Sequence, residues 1–156
     1  MRVQKKQIKD PAIISGLFRQ CPVGRLATIG VDGSPMIKPL NFVYLEGDVY
    51  FHCAREGEKI EDIKRDERVC FEIDLPIGYV KSNDNPCKAG YLYQSVIVKG
   101  RAIILEEKEK KLWVLKALME KYQPEGGYGP FPETKLMLTA VVRIIIDHIS
   151  GKEDLG

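Results

Sequence analysis

The sequence has few cysteines and no cysteine motif. Four cysteines lie at positions 21, 53, 70 and 87, and no two of them form a C-x-x-C pair. Thiols spaced this way do not make a zinc motif, and four are too few to stabilise a chain of 156 residues by disulfides. Cys53 and Cys70 fall in apolar strand patterns typical of buried thiols, whereas Cys21 and Cys87 lie in loop-like segments where they could be exposed. We therefore assign neither a metal nor a reaction to the cysteines.

Familiar catalytic motifs are also absent. The chain has no Walker loop, no G-x-G-x-x-G, no G-x-S-x-G and no H-E-x-x-H, and it has only two histidines, His52 and His148. A histidine on a strand more often has a structural role than a catalytic one, although its charge can change near neutral pH. Because no nucleophile or metal motif is present, we expect a cofactor to supply the chemistry.

Long apolar runs and an excess of charge of one sign are absent as well. No run approaches the roughly 20 apolar residues of a membrane span, and the N-terminal residues 1–6 lack the apolar core of a signal peptide. The 24 basic and 22 acidic residues are spread along the chain, without the basic stripe that nucleic-acid binding requires. We therefore expect a cytoplasmic protein that binds neither membranes nor nucleic acid, built as a single domain over residues 1–156.

The sequence does contain a series of strand patterns and three helical patterns. Asp10 as N-cap and Pro11 in the first turn predict a helix that ends at Cys21. A longer helix is predicted over 107–122, and a short one begins near residue 58. The strands are predicted over 24–30, 35–45, 49–54, 68–75, 91–105 and 136–149. Because no β–α–β alternation is present, we predict a mainly β fold, an antiparallel barrel of about six strands with peripheral helices.

Pro39, Gly100 and residues 76–90 interrupt these patterns. Pro39 cannot donate a ladder hydrogen bond, so its strand must be unpaired, bulged or at an edge there. Such a position could let a ligand approach the backbone or could blunt an edge against aggregation, and both interpretations stay open. Gly100 predicts a bulge or bend in a long strand, and residues 76–90 are predicted to form a loop long enough to carry function.

The segment 50–63 is the strongest candidate site. Its first half alternates as a strand that puts His52 opposite the apolar side. Its second half is typical of a short helix that begins after Gly57, with Arg55 and Lys59 beside the junction. A helix N-terminus with two cations beside it suits an anion such as phosphate. An ordinary strand–turn–helix with solvated charges is the alternative.

Taken in order, the motifs resemble those of a known family. They are GRLAT at 24–28, PLNFVY at 39–44, YFHCA at 50–54 followed by Gly57 and Lys59, VCFE at 69–72, and YQSVIVKG at 93–100. This set is similar to the pyridoxamine-phosphate-oxidase-like, FMN-binding split-barrel superfamily, and specifically to its nitroimidazole-reductase-like branch. The order and spacing hold over roughly residues 5 to 150.

The resemblance implies a six-stranded antiparallel split β-barrel that forms a homodimer, with FMN held in clefts at the dimer interface. It also implies which residues bind FMN. The residues expected along the isoalloxazine, largely through their backbone, are Lys38, Pro39, Leu40, Asn41 and Phe42. The residues expected along the ring and ribityl chain are His52, Cys53 and Ala54. Lys59 matches the family lysine on the phosphate, and Gln94 and Ser95 match positions that approach the flavin from the fifth strand.

One position departs from the family pattern. Many split-barrel oxidases carry an arginine immediately before the phosphate lysine, but this chain has Glu58. Because a carboxylate beside phosphate is repulsive, we expect Glu58 to turn to solvent and Arg55 to supply the missing charge. The substrate motifs of the phosphate oxidases are also missing at the C-terminus, which argues against vitamin B6 oxidation.

The resemblance leads to two hypotheses about function. The first is an FMN-dependent oxidoreductase that passes electrons from a reduced nicotinamide or similar donor to a small acceptor, for which a nitroaromatic compound is one candidate. His52, shared with the nitroimidazole-reductase-like branch, is the candidate catalytic residue, as a proton donor or a substrate contact. The alternative is a flavin- or haem-binding carrier or sensor without turnover, in which His52 or His148 could be an axial ligand.

Overall fold

The computed structural model describes residues 4–156. Strands make up most of its regular structure, and all of the pairings between them are antiparallel. The strands of the described chain are β1 (Gln7–Ile8), β2 (Gly24–Ile29), β3 (Pro35–Leu40), β4 (Phe42–Leu45), β5 (Asp48–Ala54), β6 (Arg68–Val80), β7 (Gly90–Leu105) and β8 (Thr139–Asp154). The α-helices are α1 (Pro11–Gln20), α2 (Glu58–Arg65), α3 (Lys108–Tyr122) and α4 (Glu133–Leu138). The predicted class, mainly β with peripheral helices, is confirmed.

A single residue forces the sheet to curl into a barrel. The strand order is β3-β2-β6-β7-β8-β5-β4, with β1 paired to β8. β3 and β4 are therefore at opposite ends of the sheet, yet only Asn41 separates them in sequence. Since consecutive Cα atoms are about 3.8 Å apart, the two ends must approach within about 8 Å at Asn41. No ladder joins β3 to β4 among the described pairings, so the barrel has an open seam there.

The predicted strand 35–45 is two strands in the structure. The break falls at Asn41 and not at Pro39, which lies within β3 opposite Arg25. Pro39 is tolerated because β3 is an edge strand whose only neighbour among the described strands is β2. The missing N–H of Pro39 therefore removes no hydrogen bond to a second neighbouring strand. Of the predicted alternatives, unpaired, bulged or at an edge, the structure has Pro39 on an edge strand. With this break and the short β1, the described chain has eight strand segments where about six strands were expected.

Two further strands are longer than predicted. β6 continues past Pro76 to Val80 and pairs with the start of β7, so only residues 81–89 connect them. β8 continues through the segment predicted as a polar tail, because residues 150–154 pair with β7 and residues 151–152 with β1. At its other end, residues 136–138 belong to α4 and not to the strand.

Two apolar clusters stabilise the fold. The barrel interior contains Leu26, Phe42, Phe51, Phe71, Val98 and Ile144, all nearly inaccessible to solvent, and α1 and α2 close it with their apolar faces. A second cluster lies outside the barrel, where α3 and α4 cover Val43, Tyr50 and Val141. The strand alternation predicted for β5 is confirmed, because Phe51 faces the interior cluster and Tyr50 the outer one. In the described chain no helix is both long and apolar enough to cross a membrane.

The end of α1 is more buried than the sequence suggested. Cys21, predicted to lie in a loop-like segment where it could be exposed, is only 1% accessible, and its thiol donates a hydrogen bond to the backbone oxygen of Asp74 at 3.5 Å. Burial raises the pKa of this thiol. Cys87 is exposed, as its loop-like segment allowed.

Candidate functional site

The junction between β5 and α2 lies at one mouth of the barrel. Gly57 is the N-cap of α2 and has φ 123°, a conformation that residues with a side chain rarely adopt. Ile60 and Ile63 bury the apolar side of α2 in the barrel core. The start of this helix is therefore held firmly beside the end of β5, with its first backbone N–H groups directed outward.

A cavity of about 270 Å³ opens at this junction. The side chains that determine its character are Lys38, Cys53, Ala54, Glu56, Glu58 and Lys59. Two lysines and two glutamates thus surround the positive end of a helix dipole. The cavity is smaller than the roughly 300–1,000 Å³ that a drug-sized ligand occupies, and it suits one end of such a ligand.

Lys38 brings a cation to the cavity from the opposite strand of the mouth. Its Nζ lies 2.8 Å from Oε2 of Glu58 and 3.9 Å from Oδ2 of Asp62. The nitrogen is enclosed but forms no hydrogen bond, because its angle to Glu58 falls outside hydrogen-bonding geometry and Asp62 is too distant, so the attraction is one of charge. The sequence predicted that Lys38 would contact the ring largely through its backbone, whereas in the structure its side chain lines the cavity.

Asp62 is a fixed negative charge beneath the cavity. Its carboxylate is 3% exposed and accepts hydrogen bonds from Arg65 and Thr28, both at 2.8 Å. The bond from Arg65, and then the bond from Thr28, hold the pKa of this carboxyl below its ordinary value despite its burial. Asp62 therefore stays ionised at neutral pH and is already satisfied by these two partners.

Lys59 is the second cation of the cavity. Its Nζ lies 5.5 Å from the centroid of the Phe51 ring. It forms none of the ion pairs found among residues 4–156, so its charge is available to a ligand. The structure thus keeps Lys59 at the position where the sequence predicted a phosphate contact.

Arg55 and Glu58 do not behave as the sequence suggested. The Arg55 side chain turns away from the cavity, with Nη2 3.6 Å from Glu106 and Nη1 3.4 Å from the backbone oxygen of Met137. It lines a different pocket, against α3 and α4. Glu58 is 58% exposed, but its carboxylate pairs with Lys38 and does not simply face solvent. The second cation near Lys59 is therefore Lys38 and not Arg55.

His52 lies on the outer side of β5, as the alternation predicted, opposite Val141 of β8. The ring is exposed at the surface, but its neighbours remove part of its hydration. This desolvation, followed by the positive charge of Lys59, lowers the pKa of His52 below the ordinary value of 6.5. Burial raises the pKa of the adjacent Cys53 thiol, so Cys53 is protonated at neutral pH. Ala54 ends the strand and lines the cavity.

The residues at the β3–β4 junction differ in what they can offer a ligand. Pro39 and Asn41 are exposed and Leu40 is half-buried against the core. Phe42 is fully buried, and its backbone N–H donates to the Tyr122 hydroxyl at 2.9 Å. Phe42 therefore anchors the junction, and the accessible backbone lies just before it.

Gln94 and Ser95 lie far from this cavity within one chain. β8 pairs with Ala54 at Thr139, its first residue, and with Gln94 at Glu153, close to its last. The Gln94 amide donates a hydrogen bond to Glu153 at 2.9 Å and lines a separate cleft beside α1. One chain therefore brings Lys38, His52, Cys53, Ala54 and Lys59 to one mouth of the barrel and leaves Gln94 and Ser95 at another part of the surface.

The sequence missed the link between Lys38 and the acidic side of α2. Glu58 and Asp62 are four residues apart, a spacing that puts two carboxylates on one face of a helix and predicts a cation opposite them. The spacing of the two carboxylates was therefore visible in the sequence. Their partner Lys38 was not, because the β4–β5 hairpin separates β3 from α2 in the chain. Among residues 4–156 no cluster of three or more His, Cys, Asp or Glu side chains is arranged to hold a metal.

Comparison with known proteins identifies the family of this chain. Residues 10–153 match the family described as pyridoxamine 5'-phosphate oxidase. Because this match spans nearly the whole chain, the protein belongs to that family. No match was found among curated proteins.

Solved structures with the same fold carry several descriptions. A candidate 5-nitroimidazole antibiotic resistance protein from Bacteroides thetaiotaomicron is 24% identical, with a TM-score of 0.83 over 94% of this chain and 86% of that one. The flavocytochrome Anf3 from Azotobacter vinelandii is 19% identical, with a TM-score of 0.88 over 100% and 72%. An FAD and haem binding protein from Mycobacterium smegmatis is 17% identical, with a TM-score of 0.87 over 97% and 74%. At these identities the likeness establishes the fold, and the predicted split barrel is confirmed.

Proposed function

We propose that this protein binds FMN and acts as an oxidoreductase that passes electrons from a reduced nicotinamide or similar donor to a small acceptor, with nitroaromatic compounds as one class. The observation that carries this proposal is the cavity at the start of α2, where Lys38 and Lys59 lie beside a helix N-terminus in a chain of the pyridoxamine 5'-phosphate oxidase family. Several neighbours are described as FAD-binding proteins, which supports a flavin as the cofactor; the choice of FMN is part of this proposal.

The residues at this mouth fit the phosphate end of FMN. A phosphate monoester carries between one and two negative charges at neutral pH, and its oxygens accept hydrogen bonds. Lys59 has no competing ion pair in the described chain and Lys38 lies across the cavity from it. The exposed backbone at Pro39 and Asn41 could meet the polar edge of the ring. When bound, the flavin supplies the hydride chemistry, and these residues hold and orient it.

His52 is the residue proposed to contact the substrate. It lies on the same strand as two cavity residues, Cys53 and Ala54, and its lowered pKa makes the imidazole neutral at pH 7. A neutral ring can donate one hydrogen bond and accept another. This favours orientation of a small polar substrate over donation of a proton from an imidazolium group.

A homodimer is the second part of the proposal. The cavity of one chain is too small for a whole flavin, and Gln94 and Ser95 are at another part of its surface. The outer face of the sheet also carries apolar side chains in one register row, where Ile37 is exposed and Ala27 and Cys70 are half-buried. A second copy that covered this face could bring its Gln94 and Ser95 to the first copy's cavity.

Absorption of the purified protein tests the cofactor. Bound flavin gives bands at about 370 and 450 nm, and anaerobic addition of each reduced nicotinamide should bleach the 450 nm band if the protein is a reductase. Flavin that binds but is not reduced by any donor would support the carrier or sensor instead. A Soret band would point to haem, with His52 and His148 as the ligands to replace. A protein that binds neither group after reconstitution would contradict the proposal.

A further inference from the structure

Glu58 forms an ion pair with Lys38, the cation that an incoming phosphate would need. Its Oε2 lies 2.8 Å from Nζ of Lys38, and both residues line the cavity at the start of α2. As the first residue of the helix, Glu58 also places its carboxylate near the positive end of the helix dipole. In both respects the carboxylate takes the place that an anionic ligand would take.

The other carboxylate near Lys38 cannot replace Glu58 in this role. Asp62 lies 3.9 Å from Lys38 and is 3% exposed, and its oxygens already accept hydrogen bonds from Thr28 and Arg65. Glu58 is 58% exposed and forms no ion pair other than the one with Lys38 in the described chain. Glu58 can therefore rotate into solvent, whereas Asp62 is fixed and keeps Lys38 beside the cavity.

We propose that Glu58 is an internal competitor for the phosphate site: its carboxylate holds Lys38 until an incoming phosphate displaces it, so that the site discriminates by the charge of the ligand. This inference rests on the proposed function in taking the flavin phosphate as the natural ligand. Lys38 then pairs with a phosphate oxygen, and Glu58 turns outward.

The charges of the lining explain why this competition matters. Lys38 and Lys59 contribute two positive charges, and Glu56 and Glu58 two negative ones, so the lining has no net charge before the ligand enters. A ligand with a doubly charged phosphate gains from Lys38 only after Glu58 has left. A flavin without phosphate does not need to displace Glu58 at all.

The experiment compares Glu58→Gln with the wild-type protein and with Glu56→Gln. Glutamine keeps the shape of the side chain and removes its charge, and Glu56 lines the same cavity without an ion pair in the described chain. Dissociation constants are measured by calorimetry for three probes: FMN, riboflavin, which lacks the phosphate, and inorganic phosphate alone. Because exposed ion pairs are worth at most about a factor of five in affinity, we expect Glu58→Gln to bind FMN and inorganic phosphate about two- to fivefold more tightly. Riboflavin affinity should not change, and Glu56→Gln should give a smaller gain.

The outcomes separate this inference from the proposed function. If FMN binds but Glu58→Gln leaves its affinity unchanged or weaker, the competitor role is wrong and flavin binding stands. An equal gain for riboflavin, or an equal gain in Glu56→Gln, would also contradict it, because the effect would not depend on the phosphate or on the pair with Lys38. If no flavin binds but inorganic phosphate binds more tightly to Glu58→Gln, the competitor role stands and FMN binding is rejected. If none of the three probes binds to the wild-type protein or to either variant, both the competitor role and the proposed function are rejected.

Discussion

At the scale of single residues, the direction in which a charged side chain points decides what it can bind. Lys59 faces the cavity at the start of α2, whereas Arg55 leaves the same junction in the direction of Glu106. The two cations are four residues apart, and both were predicted near the phosphate, Lys59 as the matched family lysine and Arg55 as a substitute for the charge missing at Glu58, but only Lys59 lines the proposed phosphate site. This difference can be measured directly.

Replacement of Lys59 by alanine should weaken FMN binding far more than replacement of Arg55. Loss of one charge-assisted phosphate contact costs roughly 1.5–3 kcal/mol, or about 10- to 150-fold in the dissociation constant. Arg55→Ala should change it little, because Arg55 pairs with Glu106 outside the cavity. Flavin titrations of both variants check this, with riboflavin as the control ligand. Unchanged FMN affinity in Lys59→Ala would remove the phosphate assignment.

The pKa of His52 should depend on Lys59. Desolvation and then the charge of Lys59 lower this pKa below 6.5, so Lys59→Met should raise it without restoring the ordinary value. Because a lowered folded-state pKa means that the unfolded chain binds more protons, His52 contributes a loss of stability as the pH falls below about 6.5. NMR titration of the imidazole signals checks the shift, with Lys64→Met on the same helix as the control. Equal pKa values of His52 in the wild type and in Lys59→Met would contradict the effect of the Lys59 charge on His52.

At the scale of elements, one glycine sets the register of the two longest strands. β7 and β8 pair over most of their lengths, but their register shifts between Lys99 and Gly100, which confirms the predicted bulge. A Cβ at Gly100 would lie 2.1 Å from the backbone oxygen of Ile145. The Cβ would be fixed to the Gly100 backbone and its neighbour is a backbone oxygen, and both residues lie in a ladder, so neither can move without breaking hydrogen bonds.

Gly100→Ala should therefore destabilise the protein strongly. Overpacking typically costs about 1–3 kcal/mol, and a clash with backbone should reach or exceed the upper end of that range. Urea unfolding measures the change in the free energy of unfolding. Gly78→Ala is the matched control, because Gly78 lies at the bulge between β6 and β7 with no atom near its missing side chain. Similar stability of the two variants would show that the contact at Gly100 relaxes.

A half-buried lysine joins α3 to the end of α1. Nζ of Lys121 donates to the backbone oxygens of Phe18 at 2.9 Å and Cys21 at 3.0 Å, and lies 3.6 Å from the centroid of the Phe42 ring. Burial lowers the pKa of Lys121 from 10.5 to about 8. The amine is therefore a structural cation that is unusually easy to deprotonate.

The stability of the wild type relative to Lys121→Met should rise as the pH increases from about 8 to 10.5. In that window the unfolded chain binds more protons than the folded one, so the free energy of unfolding increases with pH. Urea unfolding of both proteins across the window gives the difference and cancels the other titrating groups. Lys116→Met, an exposed position on the same helix, should show no such slope. A flat difference for Lys121 would mean that its pKa is not lowered.

The sequence predicts elements well where the signal is local. The Asp10 N-cap followed by Pro11, the start and end of α3, and the glycine of the β7 bulge were all visible in short windows. Predictions failed where the partner is remote. The last residues of β8 are a strand because the first half of β7, together with Gln7 and Ile8, pairs with them, and no local pattern contains that information. Residues 136–138 were predicted as strand but form the end of α4, because an apolar run of this length fits either structure.

The candidate site follows the same division. The strand–glycine–helix junction and Lys59 were predicted because they are contiguous in sequence. The direction of Arg55 and the pairing of Glu58 with Lys38 were not, because both depend on which side chains the folded barrel places opposite them. The Glu58 carboxylate, which the sequence suggested would repel the phosphate, attracts Lys38, which only the tertiary structure brings close to it.

At the scale of the whole molecule, the proposed site is incomplete in one chain. We therefore expect light scattering to give about twice the chain mass of 17.7 kDa, with or without flavin. An Ile37→Glu substitution, on the exposed apolar row of β3, should favour the monomer and weaken flavin binding together. Val31→Glu, at an exposed apolar position in the turn between β2 and β3, is the control. A monomer that holds FMN tightly would contradict the shared site.

The position of β8 has a consequence for how the chain folds as it is made. β8 is the last strand in the described chain, yet it is the one that connects β7 to β5 and so joins the two parts of the sheet. On a ribosome, β2, β3, β6 and β7 could pair with one another, and β4 with β5, but no ladder would link the two groups before residue 139 had emerged. Until β8 has emerged, both partial sheets expose free strand edges, which are the surfaces that chaperones protect and that neighbouring nascent chains can capture.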